Sequence, residues 1–183
     1  MGRRHYLESF SREDLTDLYL GWLNDPEINK FLEVRRERQT PSTVLTYIEG
    51  LRQRPGCELL AIKALANDQH VGNIAITEFN GDERFATYGL LVGTIGGVRS
   101  PIAGAEATVL VIDHLLSDER IDEIRVGVNP DNDPAMALVR KLGFTVVEKD
   151  GPDGASKLVL NRGTWSELRS RYRTILNPEE EAL

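Results

Sequence analysis

The chain has 183 residues, 40% of them hydrophobic and 28% charged, with a formal net charge of -7. That is the length and composition of one ordinary globular domain with a sizeable core, and the acidic balance argues against nucleic acid as a partner. No apolar run is long enough to cross a membrane, no secretory leader is seen, and the single cysteine, Cys57, excludes an internal disulfide, so a cytoplasmic setting is expected.

Residues 5–10 alternate as a first strand. Ser11-Arg12-Glu13-Asp14 has the form of a capping box with Asp in place of Glu. The helix it opens carries Leu15, Leu18, Tyr19 and Trp22 on one face and stops at Asn24-Asp25-Pro26. A short helical piece holds Ile28, Phe31 and Leu32. Thr40 caps a second helix with Pro41 at its first position and Val44, Leu45, Ile48 and Leu51 on its inner face. Segments 58–65, 70–79 and 84–92 read as an antiparallel meander, turning at Asn67-Asp68 and Asn80-Gly81. A long helix follows to Ser117. Segment 121–128 then returns as a strand parallel to the one before that helix. Asp133 caps a helix with Pro134 first and Gly143 past its end. Segments 144–148 and 156–161 close as a hairpin, and Thr164-Trp165-Ser166-Glu167 is a capping box for a last helix. The expected class is α+β, a central mixed and mostly antiparallel sheet flanked by helices. It forms one domain over 1–176 with an acidic tail at 177–183.

The stretch 88–107 organises the rest: an apolar strand, a loop of small residues, then a helix N-terminus. Unpaired amides and the helix dipole make such a junction attractive to anions. Gly96 and Gly97 remove side chains that would block a phosphate, and Arg99 adds full charge. The segment reads as a pyrophosphate cradle.

The order of elements resembles the GNAT acetyltransferases, and three local matches carry the resemblance. The family's acetyl-CoA loop, Arg/Gln-x-x-Gly-x-Gly/Ala, corresponds to Arg99-Ser100-Pro101-Ile102-Ala103-Gly104. Its Asn-x-x-Ala/Ser and Leu-Gly-Phe elements correspond to Asn132-Asp133-Pro134-Ala135 and Leu142-Gly143-Phe144. Asn129-Pro130-Asp131-Asn132 resembles the ribosomal-protein N-terminal acetyltransferases. The segment from Trp22 to Leu32 looks like the opening of GNAT enzymes that acylate amino groups on nucleotide-linked sugars.

The resemblance implies acetyl-CoA as co-substrate, entering where the strand ending near Gly93 splays from the strand at 124–128. A bulge in the first of these strands is expected to free backbone groups of Leu91 and Val92 for the pantetheine arm and thioester carbonyl. The pyrophosphate would rest on amides of Arg99, Ser100, Ala103, Gly104 and Ala105, and Asn132 would hold the pantetheine. Glu78 is the preferred base, acting through water, with Tyr88 as an alternative acid or a sheet aromatic. Trp22 either stacks on a sugar or continues a buried face. Asn24 either binds a hydroxyl or ends a helix, and Arg35 is a candidate for a phosphate or carboxylate on the acceptor.

Departures accompany the matches. Ile102 replaces the loop's first glycine, and Pro101 lacks an amide donor. The family's general acid, a tyrosine or a serine by branch, is replaced by Val139 or Ala135. The arginines at 35, 36 and 38 and at 169, 171 and 173 read as solvated faces. His5 and His70 read as exposed, His114 as packed, Cys57 as structural, and no cluster has metal-ligand spacing.

Three functions are compatible with these residues. One is an N-acyltransferase acting on an amine, with a nucleotide-linked amino sugar as the specific candidate. The second is the same chemistry on a peptide N-terminus, and the third is an inactive acyl-CoA-binding or interaction module. Expected partners are a small amine or peptide N-terminus and a second copy of the chain, without nucleic acid or membrane.

Overall fold

The computed structural model describes residues 2–149, 151 and 154–177, so all but Asn177 of the acidic tail lies outside it. The chain begins with β1 (His5–Ser9) and helices α1 (Asp17–Asn24), α2 (Pro26–Asn29) and α3 (Pro41–Arg52). The meander β2 (Glu58–Ala64), β3 (His70–Asn80) and β4 (Phe85–Val92) follows, with a small hairpin, β5 (Thr94–Ile95) and β6 (Val98–Arg99). Next come α4 (Pro101–Ser117), β7 (Glu123–Val128), α5 (Asp133–Lys141), β8 (Thr145–Glu148), β9 (Ser156–Asn161), α6 (Arg162–Leu168) and α7 (Arg173–Leu176). Seven strands form one sheet in the order β1-β2-β3-β4-β7-β9-β8. Among the described residues only β4 and β7 pair in parallel, joined by the crossover through α4. The expected α+β mixed sheet is the observed one.

Strand alternation divides the core between the two faces of the sheet. On one face, Ile62, Ile74, Ile76 and Tyr88 meet Ala107, Val111 and Leu115 of α4. On the other, Leu59, Ala61 and Leu91 meet Tyr19, Trp22 and Leu23 of α1 and Val44, Ile48 and Leu51 of α3. The central helix is apolar nearly all round because it is covered nearly all round; ten of its residues are buried.

Several local expectations change: Asn132, not Asp133, caps α5, and α2 ends at Asn29, before Phe31 and Leu32. The Ser11 box caps only a 3-10 turn at Arg12–Asp14, because Leu15 leaves the helical region, and α1 starts afresh at Asp17 under a Thr16 cap. The Asp14 carboxylate accepts from the Ser11 amide and hydroxyl and pairs with Lys63 at 3.0 Å, which pins this turn to β2. At the β3–β4 turn the left-handed residue is Arg84 (φ 61), not Gly81, so the connection is longer than a two-residue hairpin. Arg84 is held there by a forked contact with Asp122 and by the Glu119 carbonyl. Finally, α6 begins at Arg162, capped by the Asn161 side chain at 2.9 Å from the Thr164 amide. Thr164 is therefore inside the helix rather than its cap.

Candidate active site

The β4–β7 ladder is short. It pairs Phe85, Ala86 and Thr87 with Glu123, Ile124 and Arg125, and then stops. β4 continues to Val92 along β3, while β7 continues to Val128 along β9. The two central strands thus part, leaving backbone groups of residues 88–92 on the β7 side without a strand partner. The expected bulge in β4 is absent. The extra residue is Thr77 on β3, between the pairs Ile76–Tyr88 and Glu78–Thr87. A bulge steepens local twist wherever it sits, and this one lies where β4 leaves β7.

The loop beyond β4 holds a small hairpin, where the sequence predicts an open loop with Gly96 and Gly97 leaving room for a phosphate. Gly96 and Gly97 form the β5–β6 turn at φ 58 and 79, a conformation open to glycine at little cost. Arg99 is exposed and donates to the Glu27 carbonyl at 3.3 Å, linking the loop to α2. The α4 N-terminus is partly spoken for, since the Ser100 hydroxyl accepts from the Ala103 amide at 3.3 Å and Pro101 has no donor. Ile102 stands 48% exposed at the first turn, beside the cradle rather than inside the core. Gly104 does not face this loop. A Cβ there would lie 2.9 Å from Val92 Cγ2 and 3.4 Å from Leu90 Cδ2, so its role is the close approach of α4 to β4. Ala103 is buried beneath the same turn, and Ala105 is half-buried.

Across the parting, Asn132 caps α5, its Oδ1 accepting from the Ala135 amide at 3.3 Å. The oxygen of Asn132 is thus used inside the chain. Val139 is buried, so the position expected for an acid is a packing position, while Ala135 is half-buried against the same core. Tyr88 is buried under α4, and burial pushes its phenol above the ordinary range. It stands in the core as a sheet aromatic, facing away from the α1 side.

The α1 side of β4 is open at one point. Gly89 is exposed, and a Cβ built on it would meet nothing within 4 Å. Its partner on β3 is Ala75. Alternation puts Thr87 and Glu78 beyond this small-residue floor and Leu91 and Asn73 before it, all on the same face. Glu78 is exposed there, at the closed end of the parting.

Trp22 is not in an open cleft. It is 2% exposed, its ring lies on Gly93, and its Nε1 donates to the Thr94 carbonyl at 3.0 Å. The bulk that would stack on a sugar instead fixes the start of the β5–β6 hairpin. Asn24 is likewise committed: its Nδ2 donates to the carbonyls of Leu20 and Gln39, at 2.8 and 2.9 Å, and its Oδ1 accepts from the Gln39 amide at 2.8 Å. It clamps the end of α1 to the segment entering α3.

Beside that clamp opens a cavity of about 820 Å³, lined by Asn24, Pro26, Asn29, Lys30, Arg35, Arg36, Glu37 and Arg38. Four cations and one carboxylate line it, on a chain whose overall charge is -7. Arg35 also donates to the Lys30 carbonyl, which curls the segment around the opening. The cavity touches α2, the helix whose Glu27 carbonyl Arg99 reaches. Arg35 is where the sequence suggested an anion contact; Lys30 and Arg38 join it because the turn after α2 folds back. Spacing alone made those arginines a solvated face.

All three histidines differ from expectation. His114 is exposed. His5 is buried, with Nδ1 2.7 Å from Glu106 Oε2. His70 lies among Phe10, Tyr19 and Trp22, with ring centroids 5.7, 5.4 and 5.3 Å away. Cys57 is buried and free, as a structural thiol would be. Among the described residues no group of metal-ligating side chains is assembled, and no helix is long and apolar enough to cross a membrane.

A sheet parted between its two parallel strands, with a glycine-bearing loop and a long helix N-terminus at the opening, is the arrangement that the resemblance to the acetyltransferases implied. The model of the acetyltransferase (GNAT) domain matches residues 4–145, and the chain belongs to that family. It is an N-acetyltransferase, and acetyl-CoA is its co-substrate. No curated protein matches it in sequence. Solved structures share the fold. FdhC, described as a nucleotide-linked sugar GNAT, is 13% identical with a TM-score of 0.78, covering 96% of this chain and 97% of its own. The aminoglycoside acetyltransferase AAC(6')-Ib, solved with coenzyme A, is 18% identical with a TM-score of 0.72, covering 90% and 99%. A domain from Methanocaldococcus jannaschii is 18% identical with a TM-score of 0.71, covering 86% and 98%.

Proposed function

We propose that the chain acetylates a primary amine on a small anionic acceptor, with an amino sugar linked to a nucleotide as the specific candidate. The observation that carries this reading is the basic cavity. Lys30, Arg35, Arg36 and Arg38 gather on one wall of an otherwise acidic molecule. Guanidinium groups match phosphate oxygens in paired hydrogen bonds, so a diphosphate suits this lining. The description of FdhC as a nucleotide-linked sugar GNAT supports the same acceptor class. A peptide N-terminus, cationic at neutral pH, calls for a cleft of the opposite sign, and Glu37 is the single carboxylate of the lining.

In this reading the residues divide the work. Backbone groups of Leu91 and Val92, in the unpaired run of β4, hold the pantetheine arm and polarise the thioester carbonyl. Arg99 and the start of α4 from Ser100 to Ala105 receive the pyrophosphate, and the Asn132 amide nitrogen meets the pantetheine. The acceptor anion sits by Arg35, and its amine reaches β4 over the Gly89–Ala75 floor. Most of the rate then comes from alignment, because a neutral amine attacks a thioester readily once placed. Loss of an acid at Ala135 and Val139 is tolerable, since a thiolate with a pKa near about 8–9 leaves with little help.

The test has two parts. Acetyl-CoA at millimolar concentration should raise the melting midpoint, since a ligand that binds only the native state stabilises it. Turnover, followed as release of the CoA thiol, should favour an amino sugar carrying a nucleoside diphosphate over the same sugar without it. Arg35→Ala and Arg38→Ala should each raise KM for the charged acceptor roughly tenfold with kcat nearly unchanged. Equal KM values for charged and uncharged acceptors would remove the reading. A melting shift without turnover on any amine would favour an inactive binding module.

A further inference from the structure

Three strand ends meet at the closed end of the parting: Arg84 directly precedes β4, Asp122 directly precedes β7, and Arg162 directly follows β9. Asp122 takes both of the others. Its carboxylate accepts from Arg84 through Nε at 2.5 Å and a terminal nitrogen at 2.9 Å, and from Arg162 Nε at 3.3 Å. The main chain repeats the arrangement. The Asp122 amide donates to the Arg84 carbonyl at 2.7 Å, and the Arg162 amide donates to the Asp122 carbonyl at 2.8 Å. Arg162 also reaches the carbonyls of Leu116, Asp118 and Ile121, so it holds the end of α4 and the segment leading into β7. Further in, the Arg125 guanidinium of β7 lies over the Phe85 ring of β4, 3.7 Å from its centre.

Arg84 stands in the left-handed region at φ 61, which a side chain other than glycine seldom occupies unless its surroundings over-determine it. A forked guanidinium–carboxylate contact supplies that, because it fixes direction as well as distance. The direction matters because the β4–β7 ladder is three pairs long. Neighbouring strands turn relative to one another by anything from about 10 to 35°, and so short a ladder leaves that turn weakly set. Among the described residues the two strands share no ladder pair beyond Thr87–Arg125. A small change of angle at Asp122 is therefore magnified at Val92 and Val128, the far ends of the two strands.

We propose that Asp122 is a positioning residue for acetyl-CoA: with Arg84 and Arg162 it sets the angle at which β4 and β7 part, and thereby the fraction of molecules able to take the pantetheine arm. This rests on the reading that places acetyl-CoA in the parting. Loss of the tie lets the strands sample angles that fit the cofactor poorly, and apparent affinity falls with the fraction that still fits. Molecules that have bound are already at the right angle, so the chemical step proceeds as before. KM for acetyl-CoA then rises while kcat holds. An acceptor seated on α2 and β4 touches one side of the parting alone and keeps its KM.

The experiment titrates CoA into the intact protein by calorimetry, well below every melting midpoint, for wild type, Asp122→Ala, Arg84→Gly and Asp113→Asn. Glycine accepts φ 61 freely, so Arg84→Gly removes the tie and keeps the turn. Asp113→Asn is the control for lost stability, since it weakens the hold of α4 on Trp165 and Arg169, away from the parting. The CoA dissociation constant should rise about fivefold in Asp122→Ala and in Arg84→Gly. It should stay within about twofold of wild type in Asp113→Asn. With a nucleoside-diphosphate amino sugar as acceptor, KM for acetyl-CoA should rise alike in both tie variants, with kcat and the acceptor KM within about twofold. A CoA constant unchanged in the tie variants, or raised as far in Asp113→Asn, would overturn the proposal. A fall in kcat with no rise in KM for acetyl-CoA does the same. If Asp122→Ala does not fold, Arg84→Gly decides the matter by the same constant. The amide resonances of Leu91 and Val92 in wild type tell the two failures apart. CoA that binds without moving them overturns the placement of the cofactor, whereas resonances that move while the tie variants bind normally overturn the tie alone.

Discussion

Gly93 and Gly104 both lie where β4 meets a neighbour, and a methyl group at each should act differently. At Gly93 a Cβ would fall 2.2 Å from Trp22 Cε2, inside a rigid indole that is itself bonded to Thr94. Gly93→Ala should therefore cost about 2–3 kcal/mol or more, seen as a lowered midpoint in urea, because the ring has nowhere to turn. At Gly104 the obstacle is a methyl of Val92, 2.9 Å away, and the helix gains up to about 1 kcal/mol from alanine. Gly104→Ala should stay within about 1 kcal/mol of wild type in the same measurement. The histidines show why residue environments were the least legible part of the sequence. His5 meets Glu106 across 101 positions of chain, and His70 meets an aromatic wall drawn from α1 and the residue after β1. Nothing within a few residues of either reports such a partner. In sequence, Gly96 and Gly97 read as clearing space for a phosphate, whereas the structure uses them in a local turn at positive φ.

At the scale of elements, the caps and periods carried most of the information. Thr40 caps α3 with Pro41 first, and Val44, Ile48 and Leu51 are buried as their spacing requires. The errors fall where tertiary contact replaced a local signal, as at Asp14, drawn to Lys63, and Arg84, drawn to Asp122. One long-range lock has a pH signature. Asp113 of α4 accepts from Trp165 Nε1 at 3.1 Å and from Arg169, which faces it with two nitrogens. Burial pushes the Asp113 carboxyl up, but the Arg169 and Trp165 hydrogen bonds outweigh it and hold the pKa below 3.8. A carboxylate depressed in the native state contributes stability above its unfolded pKa, and that contribution is lost as pH falls through the folded value. Urea midpoints should then decline below about pH 4. Asp113→Asn should cost about 1–2 kcal/mol at neutral pH and flatten part of that decline. The pairing of Trp165 with Asp113 was invisible in sequence, since the two residues stand 52 positions apart.

Across the whole molecule, charge is unevenly placed. The net charge is -7, yet the lining around Lys30 and Arg35 is cationic. An anionic acceptor is repelled by most of the surface and drawn to one opening, which aids selection as well as affinity. KM for such an acceptor should rise severalfold between about 0.05 and 0.5 M salt while kcat holds, because screening lengths shorten from over 10 Å to a few. The succession of strand, loop and helix from β4 to α4 was legible because each signal is local. The cationic cavity was not, because α2 and the turn after it close on one another only in the fold.

The short β4–β7 ladder has a mechanical meaning. Three residue pairs form the seam between two plates, β1 to β4 on one side and β7 to β9 on the other, with α4 as the strap. Anything lodged between the plates acts as a splint, bracing both against opening. Amide exchange should then slow in Leu90–Val92 and in Val126–Val128 together when acetyl-CoA is added, although these segments share no ladder of their own.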